Sequence, residues 1–383
     1  MLLLIEAGIM FLCAIIPLVS VQDDLFAFFA ASLVAAVSGM TCLLAGKKAR
    51  YYQELMTRRD GYIIVASCWV IFSLFGCLPY YFSGYIPTFT DAFFETMSGF
   101  TTTGSTIVPD IEIFPYGLLF WRSLTQWIGG LGIVFFTVAV LPVFGMGEVQ
   151  LFAAEATGPT RNKLHPRINV SGRWILSVYL LITLGCALCL KLCGMSLFDS
   201  INHALCTAAT GGFSTRNASI AYYASPSIEY VITLFMFLSG INYGLLFFAT
   251  VKGRLGKMVN DTEFHWYLGI TLVFTAIVAI SLLASGQYEL ADSIRNALFH
   301  VTAIITTTGF TTTDYTAWPP FIWMILGLCM YFGGCAGSTS GGVKSIRIAI
   351  LCKSMRIEIE RILHPNAVLP VRINGKVIPP QAR

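Results

Sequence analysis

The sequence predicts an all-α polytopic membrane protein in which helix, pore-loop, helix units repeat around a pseudo-symmetric pore, preceded by a two-helix N-terminal hairpin. Three observations support this fold class: the composition, the number of long apolar segments and an internal repeat. Of the 383 residues, 56% are hydrophobic and only 11% are charged, and the mean hydropathy is +0.73. Because a soluble domain needs a larger charged surface, most of the chain is expected to lie in lipid.

Eight apolar segments approach the roughly 20 residues that a helix needs to cross a bilayer. They are 2–20, 25–45, 62–82, 117–142, 174–192, 228–251, 264–283 and 318–332. The first segment lacks a basic leader and carries Glu6, so it is predicted to be a retained helix and not a cleaved signal peptide.

Basic residues predict the orientation. The alternate loops 47–59, 161–173, 252–257 and 344–383 hold 20 of the 24 Lys and Arg residues, which places them in the cytoplasm. Acidic residues are frequent on the opposite side, where they would concentrate cations. The basic loops are dispersed and carry no nucleic-acid-binding motif, so no nucleic-acid partner is expected. The lipid membrane is the expected surroundings.

An internal repeat is the strongest signal in the sequence. Three short segments headed by an acidic residue each lead to a Thr-Gly pair, at 103/104, 210/211 and 308/309, and each lies between two apolar spans. The first short segment, 88–99, has about a dozen residues, or about 18 Å of helix, which is roughly half the hydrocarbon thickness. Each unit therefore reads as span, half-helix, re-entrant turn, span.

These residue types suit the handling of a cation inside a membrane. A half-helix that enters from outside points its carbonyl end, with its partial negative charge, toward the membrane centre. Glycine permits backbone angles closed to other residues, and threonine offers neutral oxygens that can replace the water shell of an ion. The alternative is that Thr-Gly pairs are small-residue contacts between packed helices, which one copy would allow but three ordered copies disfavour.

A glycine-rich break interrupts the last span. Five of the ten residues from 333 to 342 are glycine, and a helical pattern with cytoplasmic charges resumes at 343–353. We predict that this segment, the gate loop, obstructs the route inward in one state; its candidate residues are Gly333, Gly334, Gly337, Ser338, Thr339, Ser340, Gly341 and Gly342. The alternative is a static kink. A phosphate-binding loop is disfavoured, because Val343 separates the glycines from Lys344 and no strand precedes them.

An enzyme is not expected. Catalysis in a membrane would need ionisable residues clustered at one depth, whereas His203 and His300 stand singly on predicted half-helices. Both histidines are interpreted as packing or hydrogen-bonding residues.

Five motifs together resemble a known family. They are FETMSGFTTTG (94–104), WRSLTQWIGGLG (121–132), AATGGFS (208–214), TTGF (307–310) and GGCAGSTSGGVK (333–344). They resemble the bacterial Trk and Ktr potassium uptake transporters, related to plant and fungal high-affinity potassium transporters, and in particular the TrkH-like subunit.

The resemblance implies a potassium-selective filter with one glycine per repeat, here Gly104, Gly211 and Gly309. The lining oxygens would come from Thr102, Thr103, Ala209, Thr210, Thr307 and Thr308. Potassium would be the substrate and the only metal ion, with no cofactor in this chain. The resemblance also implies that the gate loop acts as the gate.

The family further implies a homodimer, a separate cytoplasmic nucleotide-binding regulatory subunit of the TrkA type, and the bacterial cytoplasmic (inner) membrane. Its members have four repeats, and the expected division here is a hairpin (1–59), repeats at 60–171, 172–262 and 263–357, and a cytoplasmic tail (358–383) leading to a missing fourth repeat. Two alternatives stay open: a nonconducting or partner-dependent truncated remnant, and a sodium-preferring cation transporter.

Overall fold

The structure, a computed structural model, describes residues 2–20, 22–46, 58–132, 168–364 and 369–378. Nearly all regular structure in these residues is helical, which confirms the predicted all-α fold. Residues 47–57 and 133–167 lie outside the described residues, and with them most of two predicted cytoplasmic loops and the end of the predicted 117–142 span.

The N-terminal hairpin consists of apolar helices that pack through small residues. Helices α1 (Leu2–Cys13) and α2 (Ile15–Ser20) form one span, and α3 (Leu25–Gly46) returns beside it. Ala31, Ala35 and Gly39 follow each other at four-residue intervals on α3, and a Cβ atom added to Gly39 would lie 3.0 Å from Leu4. Small residues at this spacing let the two backbones approach closely.

Three units follow the hairpin, each with a half-helix that has further helices before and after it. The first contains α4 (Arg58–Gly76), α5 (Leu78–Phe82), the half-helix α6 (Phe89–Phe100) and α7 (Tyr116–Gly130). The second contains α8 (Ile168–Leu192), the half-helix α9 (Leu197–Ala208), α10 (Pro226–Ser239), α11 (Tyr243–Thr250) and α12 (Leu255–Val259).

The third unit contains a longer half-helix and a pair of two-residue strands. Its elements are α13 (Thr262–Ala284), the half-helix α14 (Leu290–Ile305), α15 (Pro320–Cys329), β1 (Phe332–Gly333), β2 (Val343–Lys344) and α16 (Ser345–Leu363). Strands β1 and β2 pair in parallel, and β3 (Arg372–Ile373) pairs antiparallel with β4 (Lys376–Val377).

The half-helices are too short to span a bilayer. Helices α6 and α9 have 12 residues each and α14 has 16, so at about 1.5 Å per residue they fall short of the roughly 30 Å hydrocarbon core. Among the described residues, five helical segments are long and apolar enough to span, and a bent pair would make a sixth.

The predicted 228–251 segment is helical but bent. Helices α10 and α11 meet at an angle of 109° across residues 240–242. Gly240 packs against the hydroxyl of Tyr267, and the Asn242 side chain accepts hydrogen bonds from the N–H groups of Gly244 (2.8 Å) and Leu245 (3.3 Å). Asn242 therefore begins a new helix, because its side chain satisfies backbone donors that a continuous helix would bond internally.

Candidate ion pathway

The three half-helices end in the same backbone motif. Thr102, Thr210 and Thr307 adopt left-handed φ angles of 54°, 52° and 57°. Each donates its N–H to the carbonyl three residues earlier, and the next residue donates to the carbonyl five residues earlier, at 2.8–3.1 Å. This is the Schellman helix ending, which usually carries glycine at the left-handed position. A β-branched residue there is strained, and such strain concentrates at functional sites.

A left-handed glycine follows two residues later in every unit. Gly104, Gly212 and Gly309 have φ angles of 75°, 79° and 81°, whereas the intervening residue has a negative φ in each case. The three turns, residues 101–104, 209–212 and 306–309, thus share one conformation. The sequence analysis aligned Gly211 with Gly104 and Gly309, but the backbone shows that Gly212 is their equivalent and Gly211 corresponds to Thr103 and Thr308.

The turns lie edge to edge in the order first, second, third. A Cβ atom added to Gly104 would collide with the carbonyl oxygen of Gly211, and one added to Gly212 would collide with the carbonyl oxygen of Thr308. Both positions accept only glycine, because the neighbouring turn occupies the space. A Cβ on Gly309 would meet no described atom within 4 Å. The three turns therefore converge, with the second between the other two.

A polar side chain behind each turn occupies an equivalent position on the half-helix, nine residues before the left-handed glycine. The first, Glu95, accepts from the Thr106 hydroxyl and the Ile107 N–H, each at 3.0 Å. The second, His203, is bonded to the Ser214 hydroxyl at 2.9 Å and to the Asp199 carbonyl at 2.8 Å. These bonds join the half-helix to the chain that returns from the turn.

The third equivalent is His300, whose Nδ1 lies 2.9 Å from the Asn296 carbonyl oxygen. The hydrogen-bonding interpretation of His203 and His300 is therefore confirmed. The two histidines occupy equivalent positions in their half-helices, and this equivalence depends on the alignment of the three turns that the structure shows.

Two further residues on α7 connect the first half-helix with the second turn and the chain that leaves it, and sequence reasoning missed both. Arg122 and Gln126 are 2% and 0% exposed. Arg122 forms an ion pair with Glu95 at 2.6 Å, and Gln126 Nε2 donates to the carbonyl oxygen of Gly211 at 2.7 Å. An arginine and a glutamine four residues apart in an apolar span were the available signal, because polar residues at that depth face protein or water.

The gate loop lies directly beneath the turns. The Thr339 hydroxyl is within hydrogen-bond distance of the carbonyl oxygens of Ala208 (3.1 Å) and Ser239 (3.3 Å). The Gly341 N–H donates to the hydroxyl of Thr307 at 2.7 Å. The loop therefore contacts the ends of the second and third half-helices, on the side toward which their carbonyl groups point.

The lower side of the gate loop is bonded to the break between α10 and α11. The Cys335 N–H donates to the Gly240 carbonyl at 2.8 Å, and the Tyr243 N–H donates to the Gly337 carbonyl at 3.1 Å. The Asn242 amide donates to the carbonyl oxygen of Ala336. These hydrogen bonds thus join the break between α10 and α11 to the gate loop of the neighbouring unit. The sequence did not predict this contact.

Interactions within the gate loop keep it compact. Ser340 Oγ accepts from the Gly334 N–H at 3.0 Å and lies 3.0 Å from Ser338 Oγ. The buried Lys344 ammonium donates to the Ser340 carbonyl, and the Ser345 hydroxyl donates to the Gly333 carbonyl at 2.8 Å. A Cβ atom on Gly333 would collide with the Gly341 carbonyl, so the two ends of the loop are in direct contact.

The acidic residues at the outer ends of the half-helices are partly neutralised. Asp199 pairs with Arg216 at 3.3 Å, and Arg295 pairs with Glu229 and Asp292 at 2.8 Å each. Asp314 differs, because hydrogen bonds from the Thr316 hydroxyl and N–H lower the pKa of its exposed carboxyl group. These ion pairs therefore offset part of the negative charge that the sequence predicts on the outer side.

The fold and the turns together define a class: polytopic membrane proteins built from helix, pore-loop, helix units around a common axis. Residues 26–382 match the family model described as "TrkH: Cation transport protein". The chain belongs to this family, as the motifs predicted, and is a transporter and not an enzyme.

Similar proteins are named for one transport system. The chain is 39% identical over 383 residues to the Trk system potassium uptake protein TrkH of Salmonella typhimurium, covering 99% of this chain and 78% of the relative. It is 36% identical over 359 residues to the Escherichia coli Trk system potassium uptake protein TrkG, covering 93% and 73%. The crystal structure of the potassium transporter TrkH from Vibrio parahaemolyticus matches with a TM-score of 0.86 at 34% identity, over 99% of this chain and 78% of that one.

Proposed function

We propose that this chain takes up potassium across the membrane through a filter formed by the three turns. The names of its relatives support potassium uptake, and one structural observation carries the filter: three turns with the same alternation of φ sign meet edge to edge. A strained backbone conformation that recurs in every repeat is expected where the positions of oxygen atoms must be fixed.

The chemistry rests on neutral oxygens in place of water. The negative carbonyl ends of three half-helices converge near the turns, which favours a cation without a fixed counter-charge. The proposed ligand-bearing residues are Thr102, Thr103, Gly104, Ala209, Thr210, Gly211, Gly212, Thr307, Thr308 and Gly309, with Gly212 in place of Gly211 as the equivalent of Gly104 and Gly309. The Gly211 oxygen also accepts a hydrogen bond from Gln126, which fixes its position beside the first turn.

We further propose that the gate loop closes this pathway. Its upper contacts, from Thr339 and Gly341 to the half-helix ends, are few and separate from its lower contacts to the α10–α11 break. Opening would break the upper set while the lower set holds the loop to the scaffold. A static kink would need no such division.

For its surroundings we propose the bacterial cytoplasmic (inner) membrane, a homodimer, and a cytoplasmic nucleotide-binding regulatory subunit. The support is the family and the word "system" in the names of the relatives. Co-purification of the tagged chain with a candidate regulatory subunit, and the mass of the detergent-solubilised protein, test the two assemblies. A monomer that binds no such subunit would contradict them.

The test of the main proposal is radioactive rubidium uptake in cells that lack their own potassium uptake systems. We expect the intact gene product to restore uptake, with potassium competing better than sodium. Gly104→Ser and Gly309→Ser should each relax the preference for potassium over sodium. At Gly104 the added side chain would collide with the Gly211 carbonyl oxygen, and at Gly309 a side chain would strain a backbone held at a φ of 81°, so filter oxygens move in both variants. Absence of flux would favour the nonconducting alternative, better competition by sodium would favour a sodium-preferring transporter, and unchanged selectivity in both variants would place the filter elsewhere.

A further inference from the structure

We infer that Gln126, together with Arg122 one turn earlier on α7, is a positioning residue that sets the ion discrimination of the filter. The inference rests on the proposed function and adds a selectivity determinant outside the filter turns. Neither side chain belongs to a turn, yet both bond to the backbone that leaves the second turn. Their role is to fix where that backbone lies relative to the first turn.

Both ends of the Gln126 amide are committed. Nε2 donates to the Gly211 carbonyl at 2.7 Å, and Oε1 accepts from the Phe213 N–H at 3.1 Å. If the amide were flipped, Oε1 would face the Gly211 carbonyl oxygen and Nε2 would face the Phe213 N–H, so the two partners determine its orientation. A rigid planar group thus holds two backbone atoms of the second turn at once.

The oxygen that Gln126 holds is the one that abuts the first turn. The Gly211 carbonyl lies where a Cβ of Gly104 would be, so this oxygen separates the two turns. A Cβ on Gly211 would in turn collide with the Gln126 amide. The junction is therefore packed on both sides, and a change in the amide must move the carbonyl.

Arg122 extends the same connection outward. Its Nη1 donates to the Ser214 carbonyl at 3.0 Å, its guanidinium lies 3.5 Å from the centre of the Phe213 ring, and its Nε binds Glu95. Because Glu95 also binds the chain after the first turn, α7 holds the return segments of both turns. At the next junction Gly212 approaches the Thr308 carbonyl in the same way, and the Ala221 N–H donates to the Thr311 carbonyl at 3.1 Å.

The consequence concerns selectivity more than transport rate. Discrimination between dehydrated ions depends on the spacing and strength of neutral oxygens, and here one spacing is imposed by a side chain behind the filter. Gln126→Glu keeps the acceptor for Phe213 but turns the donor facing Gly211 into a repelling oxygen. Gln126→Leu removes both bonds at similar volume.

The experiment measures rubidium uptake in the presence of potassium or sodium as competitors for the unaltered chain, Gln126→Glu and Gln126→Leu. Thr183→Val is the matched control, since it removes the bond from Trp127 Nε1 (3.0 Å), a part-buried bond from the next α7 residue to α8. We expect the potassium over sodium preference to fall about tenfold in both Gln126 variants, the equivalent of about 1.4 kcal/mol, and to stay unchanged in the control. Membrane content of each variant is measured in parallel, together with the thermal stabilisation of purified protein by potassium and by sodium.

Every outcome decides the inference. Reduced preference in either variant that accumulates in the membrane supports it. Unchanged preference in both, or failure of both to accumulate while the control does, would assign Gln126 to folding alone and overturn it. No uptake by the unaltered chain would overturn the proposed function as well, whereas selective uptake by the unaltered chain with unaltered ratios in the variants would overturn only this inference.

Discussion

Gly212 offers the sharpest test of the repeat register. The structure makes it the equivalent of Gly104, although the sequence places a second glycine, Gly211, directly before it. Gly212→Ala would put a side chain on a backbone with φ of 79° and drive its Cβ against the Thr308 carbonyl, far inside the 3.0 Å that real Cβ atoms keep. Left-handed strain costs about 1–2 kcal/mol and forced overpacking about 1–3 kcal/mol, so we expect a loss of about 2–5 kcal/mol in unfolding free energy.

Gly286→Ala is the matched control, because Gly286 has a similar φ of 70° and no described atom within 4 Å of an added Cβ. It should lose only the strain term, about 1–2 kcal/mol, and keep its ion preference. Thermal unfolding in detergent and rubidium uptake with competing potassium or sodium compare the two variants. Equal stability loss in both, with potassium preference retained by Gly212→Ala, would refute the assignment of Gly212 to the filter and the close approach of the second and third turns.

Three other predictions concern side chains that join different segments of the chain. Glu95→Gln leaves the Arg122 charge buried without its counter-ion and should lower the free energy of unfolding by about 3–5 kcal/mol. A second change, Arg122→Gln, should recover part of this loss in thermal unfolding. An undiminished melting temperature in the single variant would contradict the prediction. Thr339→Val removes the hydroxyl that bonds to the Ala208 carbonyl and should raise rubidium uptake under conditions in which the unaltered chain is closed; unchanged or lower uptake would argue for a static kink. Asn242→Ala removes the N-cap of α11 and the bond to the gate loop. It should lower the free energy of unfolding by about 0.5–2 kcal/mol and also change the rate of uptake. A stability loss with normal uptake would show that the cap has no part in gating.

The sequence predicted the half-helices and turns because three copies of one pattern reinforced each other. The pattern could not fix the register of the second turn. Thr210-Gly211-Gly212 offers two glycines, and choosing between them requires knowing where α9 ends and which residue takes the left-handed angle. That choice depends on helix-end hydrogen bonds and on contact with the first and third turns.

The bend within the predicted 228–251 segment could not be predicted for a similar reason. The segment is largely apolar around a short Ser-Gly-Ile-Asn stretch, and hydropathy does not respond to a bend. The 109° break is set by partners distant in the chain: Tyr267 against Gly240, and the gate loop bonded to Asn242.

Arg122 and Gln126 were also visible as polar residues in an apolar segment, but their partners at 214 and 211 lie about 90 residues away.

The sequence by itself determined the class of protein, the membrane setting, the three-unit organisation and the family, because all of these follow from composition, periodicity and repeated motifs. The tertiary structure alone decided which glycine of the second turn takes the left-handed angle, which side chains hold the turns together and what the gate loop is bonded to. Repetition and hydropathy are properties of neighbours along the chain. The spacing of oxygens around an axis depends on contacts between units, and no local pattern encodes those distances.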